Sequence, residues 1–242
     1  MRRIIINIII VILIGVMIYS GAKIVIWFYE NSKTDKLLKK VSTSVHVDEG
    51  KSINDKERYS IDFDELRKIN TDIKGWIKVE GTDVEMPVVQ GNDNSFYLTH
   101  SLDKSSNSAG WAFIDYRNKL DGTDKNIIIY GHNRRDRSIF GTLKNIVKPE
   151  WYNNENNRYI QFITENETSI YEVFSVYQIE VEDYYTQTDF GKVNFLEFAN
   201  KLKSRSVKNF NVDLTEDDNI LTLSTCADNS QYRVVLHAVK IK

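Results

Sequence analysis

From Gly75 onward the apolar residues of this chain recur with a period of two, in short runs separated by polar turns, and a single segment breaks that rhythm. Gly75 to Val79 and Val84 to Val89 flank the turn Glu80-Gly81-Thr82-Asp83 and predict a hairpin. Pro87 has no N–H to donate, so it marks an edge or a bulge there. Further strands are expected at 110–115, 126–130, 158–164, 170–179, 219–225 and 232–240. The exception is the i, i+3, i+4, i+7 stripe of Phe195, Phe198, Ala199 and Leu202, which predicts one helix ending before Ser206. About eight short strands with few helices predict a mainly β fold closed into a barrel, with that helix inserted before the strand that ends at Cys226.

The front of the chain follows different rules. Ile4 to Ala22 is almost wholly apolar and close to the roughly 20 residues a membrane span needs. Arg2 and Arg3 favour a cytoplasmic N-terminus with the rest of the chain exported. Ser20-Gly21-Ala22 offers a cleavage site, so a removable signal peptide is the alternative; the apolar run exceeds the usual signal core of roughly 7–15 residues and favours an uncleaved anchor over 1–30. Residues 31–58 are polar and read as a helical stalk with a weak stripe (Leu37, Leu38, Val41), then a linker through Asp48-Glu49-Gly50. The folded domain is expected over 59–242, opening with a short helix near 63–70 that Asp62 and Glu65 cap and Phe63, Leu66 and Ile69 stripe. A formal net charge of −2 gives no electrostatic case for nucleic acid. The mixed charges at Lys33, Asp35, Lys36, Lys39 and Lys40 suit a solvated helix face.

Cys226 is the one cysteine, so no intramolecular disulfide exists and the thiol is either an apolar filler or a reactive group. If Ala227 to Gln231 is a connecting loop, Tyr232 or Arg233 stands across from it. Arginine keeps its charge and presents a planar set of donors, which suits a developing oxyanion; a surface ion pair is the plainer reading of Arg233. Among four histidines, His46 lies in the polar linker, His100 in a loop, and His237 inside the last strand, where a satisfied structural role is usual. His132 differs. It follows Ile127-Ile128-Ile129-Tyr130 at a strand end, where loops present catalytic groups, and a histidine paired with a cysteine raises the thiolate fraction or delivers a proton to a leaving amine. No set of histidines or carboxylates has metal-ligand spacing; Glu216-Asp217-Asp218 and Glu180, Glu182 and Asp183 read as solvated loops, and neither metal nor cofactor is expected.

Tyr130-Gly131-His132-Asn133, Thr222-Leu223-Ser224-Thr225-Cys226 and Arg233 with Val234-Val235 behind it together resemble the catalytic signature of the sortases, and of class B in particular. Ile69 to Ile77, Pro87 to Asn94, Tyr97-Leu98, Gly110 to Arg117 with Asp115, and the predicted helix before the cysteine strand resemble the same class, so the likeness spans about 59–242.

This resemblance implies a membrane-anchored cysteine transpeptidase of the Gram-positive cell surface. Cys226 would attack the threonine carbonyl of a C-terminal sorting signal, His132 would protonate the departing amine, and Arg233 would hydrogen-bond the oxyanion or the substrate backbone. The thioacyl-enzyme would pass the surface protein to an amine of a peptidoglycan precursor or crossbridge. Leu98, Tyr185 and Ser224 resemble pocket-lining positions, with Tyr184 beside Tyr185 leaving the register there open. Two other readings stand beside this one: an anchored cysteine peptidase or amidase that passes the acyl group to water, and an anchored barrel that binds a partner with Cys226 as a core residue.

Overall fold

The computed structural model describes residues 2–226 and 231–241, with Cys226 described by its backbone alone. Helix α1 (Arg2–Ser42) runs unbroken, so the apolar front and the polar residues after it share one helix. Val41 on it is fully buried, and Leu37 and Leu38 pack against the core. Strand β1 (Val45–Val47) then pairs antiparallel with β2 (Tyr59–Ile61), which folds the polar stretch back on itself. Helix α2 (Phe63–Arg67) opens at Asp62, whose carboxylate accepts from the Glu65 N–H at 3.0 Å. It is shorter than its apolar spacing predicts. Beyond Arg67 the chain loosens into a turn, and the Asn70 side chain donates to Tyr97 Oη at 2.8 Å and to the Leu102 carbonyl at 2.7 Å, partners that an exposed helical position would not reach.

Eight strands close into the expected barrel: β3 (Ile73–Val79), β4 (Glu85–Val89), β5 (Phe113–Ile114), β6 (Asn126–His132), β7 (Tyr159–Thr164), β8 (Thr168–Glu180), β9 (Ile220–Cys226) and β10 (Tyr232–Lys240). Their order around the wall is β10-β8-β7-β3-β4-β5-β6-β9, and β9 returns to β10. The predicted hairpin is β3–β4, with Trp76 opposite Pro87. On its other side β4 meets β5 only at Val89, so Pro87 lies where no ladder donor is required, and its carbonyl accepts from the Trp111 indole at 2.8 Å. The Trp111 backbone N–H donates to the Tyr97 carbonyl at 2.9 Å, outside the ladder, and β5 is two residues long where the alternation predicts six.

Two neighbouring pairs are parallel, β4–β5 and β6–β9. Parallel neighbours require a long crossover, and the one from β6 to β9 carries α3 (Pro149–Tyr152), β7, β8 and α4 (Phe195–Ser204). Helix α4 is the predicted one. Asn194 caps it by accepting from the Glu197 N–H at 2.8 Å, and Phe195, Phe198, Ala199 and Leu202 are buried. Burying Phe198 and Leu202 contributes about 1.5–3 kcal/mol each. The helix lies along β8, where Ser175 Oγ donates to the Leu202 carbonyl at 2.7 Å. Beside it His237 is completely buried, with Nε2 2.8 Å from Tyr177 Oη and Nδ1 2.8 Å from Thr222 Oγ1. Burial pushes its pKa down to about 3, so the ring stays neutral and serves the core.

Candidate active site

Strands β6 and β9 run parallel in a register that begins at Asn126–Ile220 and ends at His132–Cys226. Neighbouring strands lie about 4.8 Å apart, so the two residues occupy one rung of the wall. Both strands stop there. Past His132 the chain turns back, with the Arg134 and Phe140 N–H groups both donating to the His132 carbonyl, at 3.0 and 3.1 Å. At Gly131 a Cβ would stand 2.6 Å from the Phe140 ring, so this return depends on glycine.

The His132 ring is buried, 6% exposed, and its Nε2 lies 2.7 Å from the Leu98 carbonyl oxygen. A carbonyl only accepts, so Nε2 carries a proton and Nδ1 is the nitrogen that exchanges one. Leu98 is placed by a 3₁₀ turn over Phe96–Leu98, which Asp93 starts by accepting from the Ser95 and Phe96 N–H groups at 2.7 and 2.8 Å. Gly110, at φ +60°, lies against the same edge of the ring. A Cβ there would lie 2.6 Å from the Tyr97 oxygen, 2.8 Å from the Leu98 oxygen and 2.9 Å from His132 Cδ2. Both the backbone conformation and the space demand glycine.

A cavity of about 450 Å³ opens at the Tyr130–Ser224 rung, two positions back along both strands, and Leu98, Tyr130, Tyr185, Ser224, Arg117 and Arg233 are among its lining residues. Leu98, Tyr185 and Ser224, expected from the sequence as pocket residues, are therefore together, and Arg233 is with them. Tyr185 Oη lies 3.0 Å from Ser224 Oγ in a buried contact. Tyr184 turns the other way, its ring 5.3 Å from that of Phe198 and 3.6 Å from Lys201 Nζ, so of the two tyrosines Tyr185 faces the cavity. Arg233 lies opposite Ile179 of β8, two residues before Val235, which pairs with Ser224 of β9. Thr225 Oγ1 accepts from the Val234 N–H at 2.9 Å, which extends the β9–β10 contact toward the rung of Cys226. Of the expected connection at Ala227 to Gln231, residues 227–230 lie outside the described residues.

The other histidines are elsewhere. His46 pairs with Ser60 in the β1–β2 ribbon, and His100 stacks on Phe96 with centroids 4.0 Å apart and Nδ1 2.8 Å from the Phe96 oxygen. Among the described residues no group of three or more His, Cys, Asp or Glu side chains is placed to share a metal ion.

One polar cluster in the cavity wall escaped the sequence reading of roles. The fully buried Asp115 accepts from Arg117 Nε at 2.8 Å and Nη2 at 2.7 Å, from Tyr130 Oη at 3.0 Å and from Asn94 Nδ2 at 2.9 Å. Arg117 also donates to the Thr186 carbonyl at 3.0 Å. Burial pushes the Asp115 carboxyl up, but the guanidinium outweighs it and holds the group below the usual carboxylate range. Burial, and then the Asp115 charge, pushes the Tyr130 phenol up, so it stays protonated and donates. The cluster ties three walls of the cavity together: the segment at Asn94, strand β6 at Tyr130, and the 3₁₀ turn Tyr184–Thr186. The signal available in the sequence is the Asp115-Tyr116-Arg117 spacing, which places unlike charges two residues apart after a strand. For the Leu98 carbonyl there is no such signal, because the group that contacts His132 belongs to the backbone.

Comparisons with known proteins point to a single family. The family model described as Sortase domain matches residues 77–241. Sortase B of Staphylococcus aureus is 33% identical over 236 residues, covering 96% of this chain and 95% of that protein. A crystal structure of sortase B from B. anthracis superposes with a TM-score of 0.76 at 32% identity, over 89% of this chain and 99% of that one. A crystal structure of sortase B complexed with triglycine gives 0.73 at 32% identity, over 88% and 98%.

Proposed function

Since this chain belongs to the sortase family, within class B, and is a cysteine transpeptidase, we propose that it cleaves a C-terminal sorting signal after threonine and transfers the upstream protein to a peptidoglycan amine. The observation that carries this reading is the shared rung of His132 and Cys226 at the ends of β6 and β9. In the first step the Cys226 thiolate attacks the threonine carbonyl. A C–S bond forms, the C–N bond breaks, and protonated His132 delivers its Nδ1 proton to the departing amine. In the second step His132 takes a proton from the incoming amine as that nitrogen attacks the thioester; a C–N bond forms and the thiolate leaves. One difficult amide exchange becomes two easier ones.

Arg233 stabilises the tetrahedral oxyanion with a fixed cationic donor set. The residues before the threonine occupy the cavity lined by Leu98, Tyr185 and Ser224, whose walls the Asp115–Arg117 pair holds in place. An amine acceptor agrees with the similar sortase B structure that is complexed with triglycine. The apolar part of α1 anchors the enzyme: its best window has a mean hydropathy of 2.7 and is wholly unburied. The N-terminus is cytoplasmic and the barrel lies outside the membrane.

The test is mass spectrometry of the purified chain with a panel of sorting-signal peptides. A thioacyl adduct on Cys226 that disappears when triglycine is added, with appearance of the peptide–triglycine product, supports transfer. An adduct that resolves only to free acid would make the protein a peptidase. No adduct would remove Cys226 as the nucleophile.

A further inference from the structure

The stalk of α1 docks beside the active-site rim, and the way it leaves the domain fixes which face of the barrel looks toward the lipid. Residues 2–29 of the helix are exposed, and contact begins at Glu30. The Glu30 carboxylate accepts from Ser108 Oγ, and Thr34 Oγ1 accepts from Asn107 Nδ2 at 3.1 Å. Lys33 pairs with Asp103 at 2.9 Å, and Asn31 Oδ1 accepts from Arg134. Thr34 and Val41 are buried, so the grip extends over about three turns of helix. Arg134 is two residues beyond His132, and residues 103–108 belong to the segment that runs from Leu98 to Gly110 around its ring. The helix therefore exits at the catalytic pole.

Its apolar stretch continues to Phe28, with exposed Trp27, Phe28 and Tyr29 making the aromatic belt expected at a lipid–water boundary. At about 1.5 Å per residue, Asn31 stands roughly 5 Å beyond Phe28, and roughly 13 Å beyond Ala22 if the span ends before Lys23. Either height is comparable with the Debye length of about 10 Å. The loop gripped at that height is Asn133-Arg134-Arg135-Asp136-Arg137-Ser138, with three guanidinium groups against one carboxylate. Arg134 is held by Asp136 at 2.8 Å and Arg137 by Asp83 at 2.9 Å, whereas Arg135 is exposed and enters neither pair.

We propose that the rim formed by residues 133–138 rests on the anionic headgroups of the membrane, oriented by the docked stalk and held by Arg135. This rests on the reading of α1 as a membrane span. The catalytic groove then opens along the lipid surface, and the opposite pole of the barrel, at the β7–β8 turn, points away from it.

The experiment uses the full chain with Cys226→Ala in vesicles of phosphatidylglycerol and phosphatidylcholine. Fluorophores are attached at single cysteines introduced as Ile14→Cys, Asn133→Cys or Asn166→Cys, and quenchers are placed at the headgroup or deep in the acyl region. Position 14 should be quenched by the deep probe, and position 133 should be quenched by the headgroup probe at least threefold more than position 166. Arg135→Glu should lower quenching at 133 at least twofold in anionic vesicles and leave it unchanged in phosphatidylcholine alone. Equal quenching at 133 and 166 with position 14 buried would overturn the orientation and keep the anchor. No deep quenching at position 14 would overturn both. An Arg135→Glu chain indistinguishable in anionic vesicles would overturn the headgroup contact.

Discussion

His132 and Cys226 are register partners on parallel strands that both end at their shared rung. The backbone positions of the pair are thus set by ladder geometry, and the Leu98–Gly110 segment sets only the orientation of the histidine ring. Cys226→Ala should abolish thioacyl formation while moving the melting temperature by no more than about 2 °C, since a residue at the last position of a strand contributes little packing. A loss of several kcal/mol, the size of a core cavity, would make the cysteine a structural filler. His132→Ala should also abolish turnover, and His100→Ala should not.

Arg233→Lys keeps the charge and removes the planar fork. Removing one oxyanion donor in other enzymes costs about 10²–10³ in rate. A drop of that size in the single-turnover acylation rate is expected, with thermal stability nearly intact. Near-normal acylation would withdraw the oxyanion role and leave Cys226 and His132 as the catalytic pair.

Gly110→Ala tests how His132 is held. The added methyl meets the Leu98 and Tyr97 oxygens and the histidine ring at 2.6–2.9 Å, in a backbone conformation of φ +60° that alanine adopts at a cost of about 1–2 kcal/mol. Displacing a catalytic group by about 1 Å can cost 10²-fold in rate. The expected result is a fall in kcat of tenfold or more with KM little changed, a split that a mere loss of folded protein would not give in active-site-titrated enzyme.

Tyr185→Phe removes the hydroxyl that meets Ser224 and leaves the ring in the cavity wall. The net value of such a bond is about 0.5–1.5 kcal/mol of folding stability, which denaturant melts should show. KM for the sorting peptide should rise because Ser224 loses the partner that fixes it in the cavity wall, with kcat nearly constant. Tyr184→Phe, on the helix side of the same turn, should leave KM unchanged.

The buried His237 predicts an acid-sensitive fold. Its pKa is about 3 in the folded protein against 6.5 for the ordinary group. Below about pH 6.5 the unfolded chain takes up a proton that the folded chain refuses until about pH 3, so stability falls as pH drops through that window. At about 1.4 kcal/mol per unit, moving from neutral pH to pH 5 should cost roughly 2 kcal/mol. Denaturant melts of the protein and of His237→Gln should show the steeper pH dependence in the former; equal slopes would remove this group as the cause.

The barrel was legible because alternation survives in segments packed on one side, and the stripe at Phe195, Phe198, Ala199 and Leu202 was legible because α4 covers β8 with one face only. The rung of His132 and Cys226 could be suspected from two strand ends but not located, since parallel pairing across a crossover of β7, β8 and α4 has no local signature. Two features were harder still. β5 is two residues long because the Trp111 N–H goes to the Tyr97 carbonyl, a loop contact that overrides the alternation. The clamp on His132 uses the Leu98 carbonyl and the missing side chain of Gly110, and a backbone oxygen and an absent Cβ leave little trace in residue types.

Strand β9 has a second consequence through its neighbours. It lies between β6 and β10, so the segment carrying Cys226 is also the piece that seals the wall. Its partners on the β6 side come from far upstream in the chain, a non-local pairing of the kind that forms slowly. A growing or partly folded polypeptide therefore holds its thiol away from His132 until the wall is sealed. Reactivity of Cys226 toward an acylating probe should appear as a late, all-or-none event during refolding, after the hairpins β3–β4 and β7–β8 have formed.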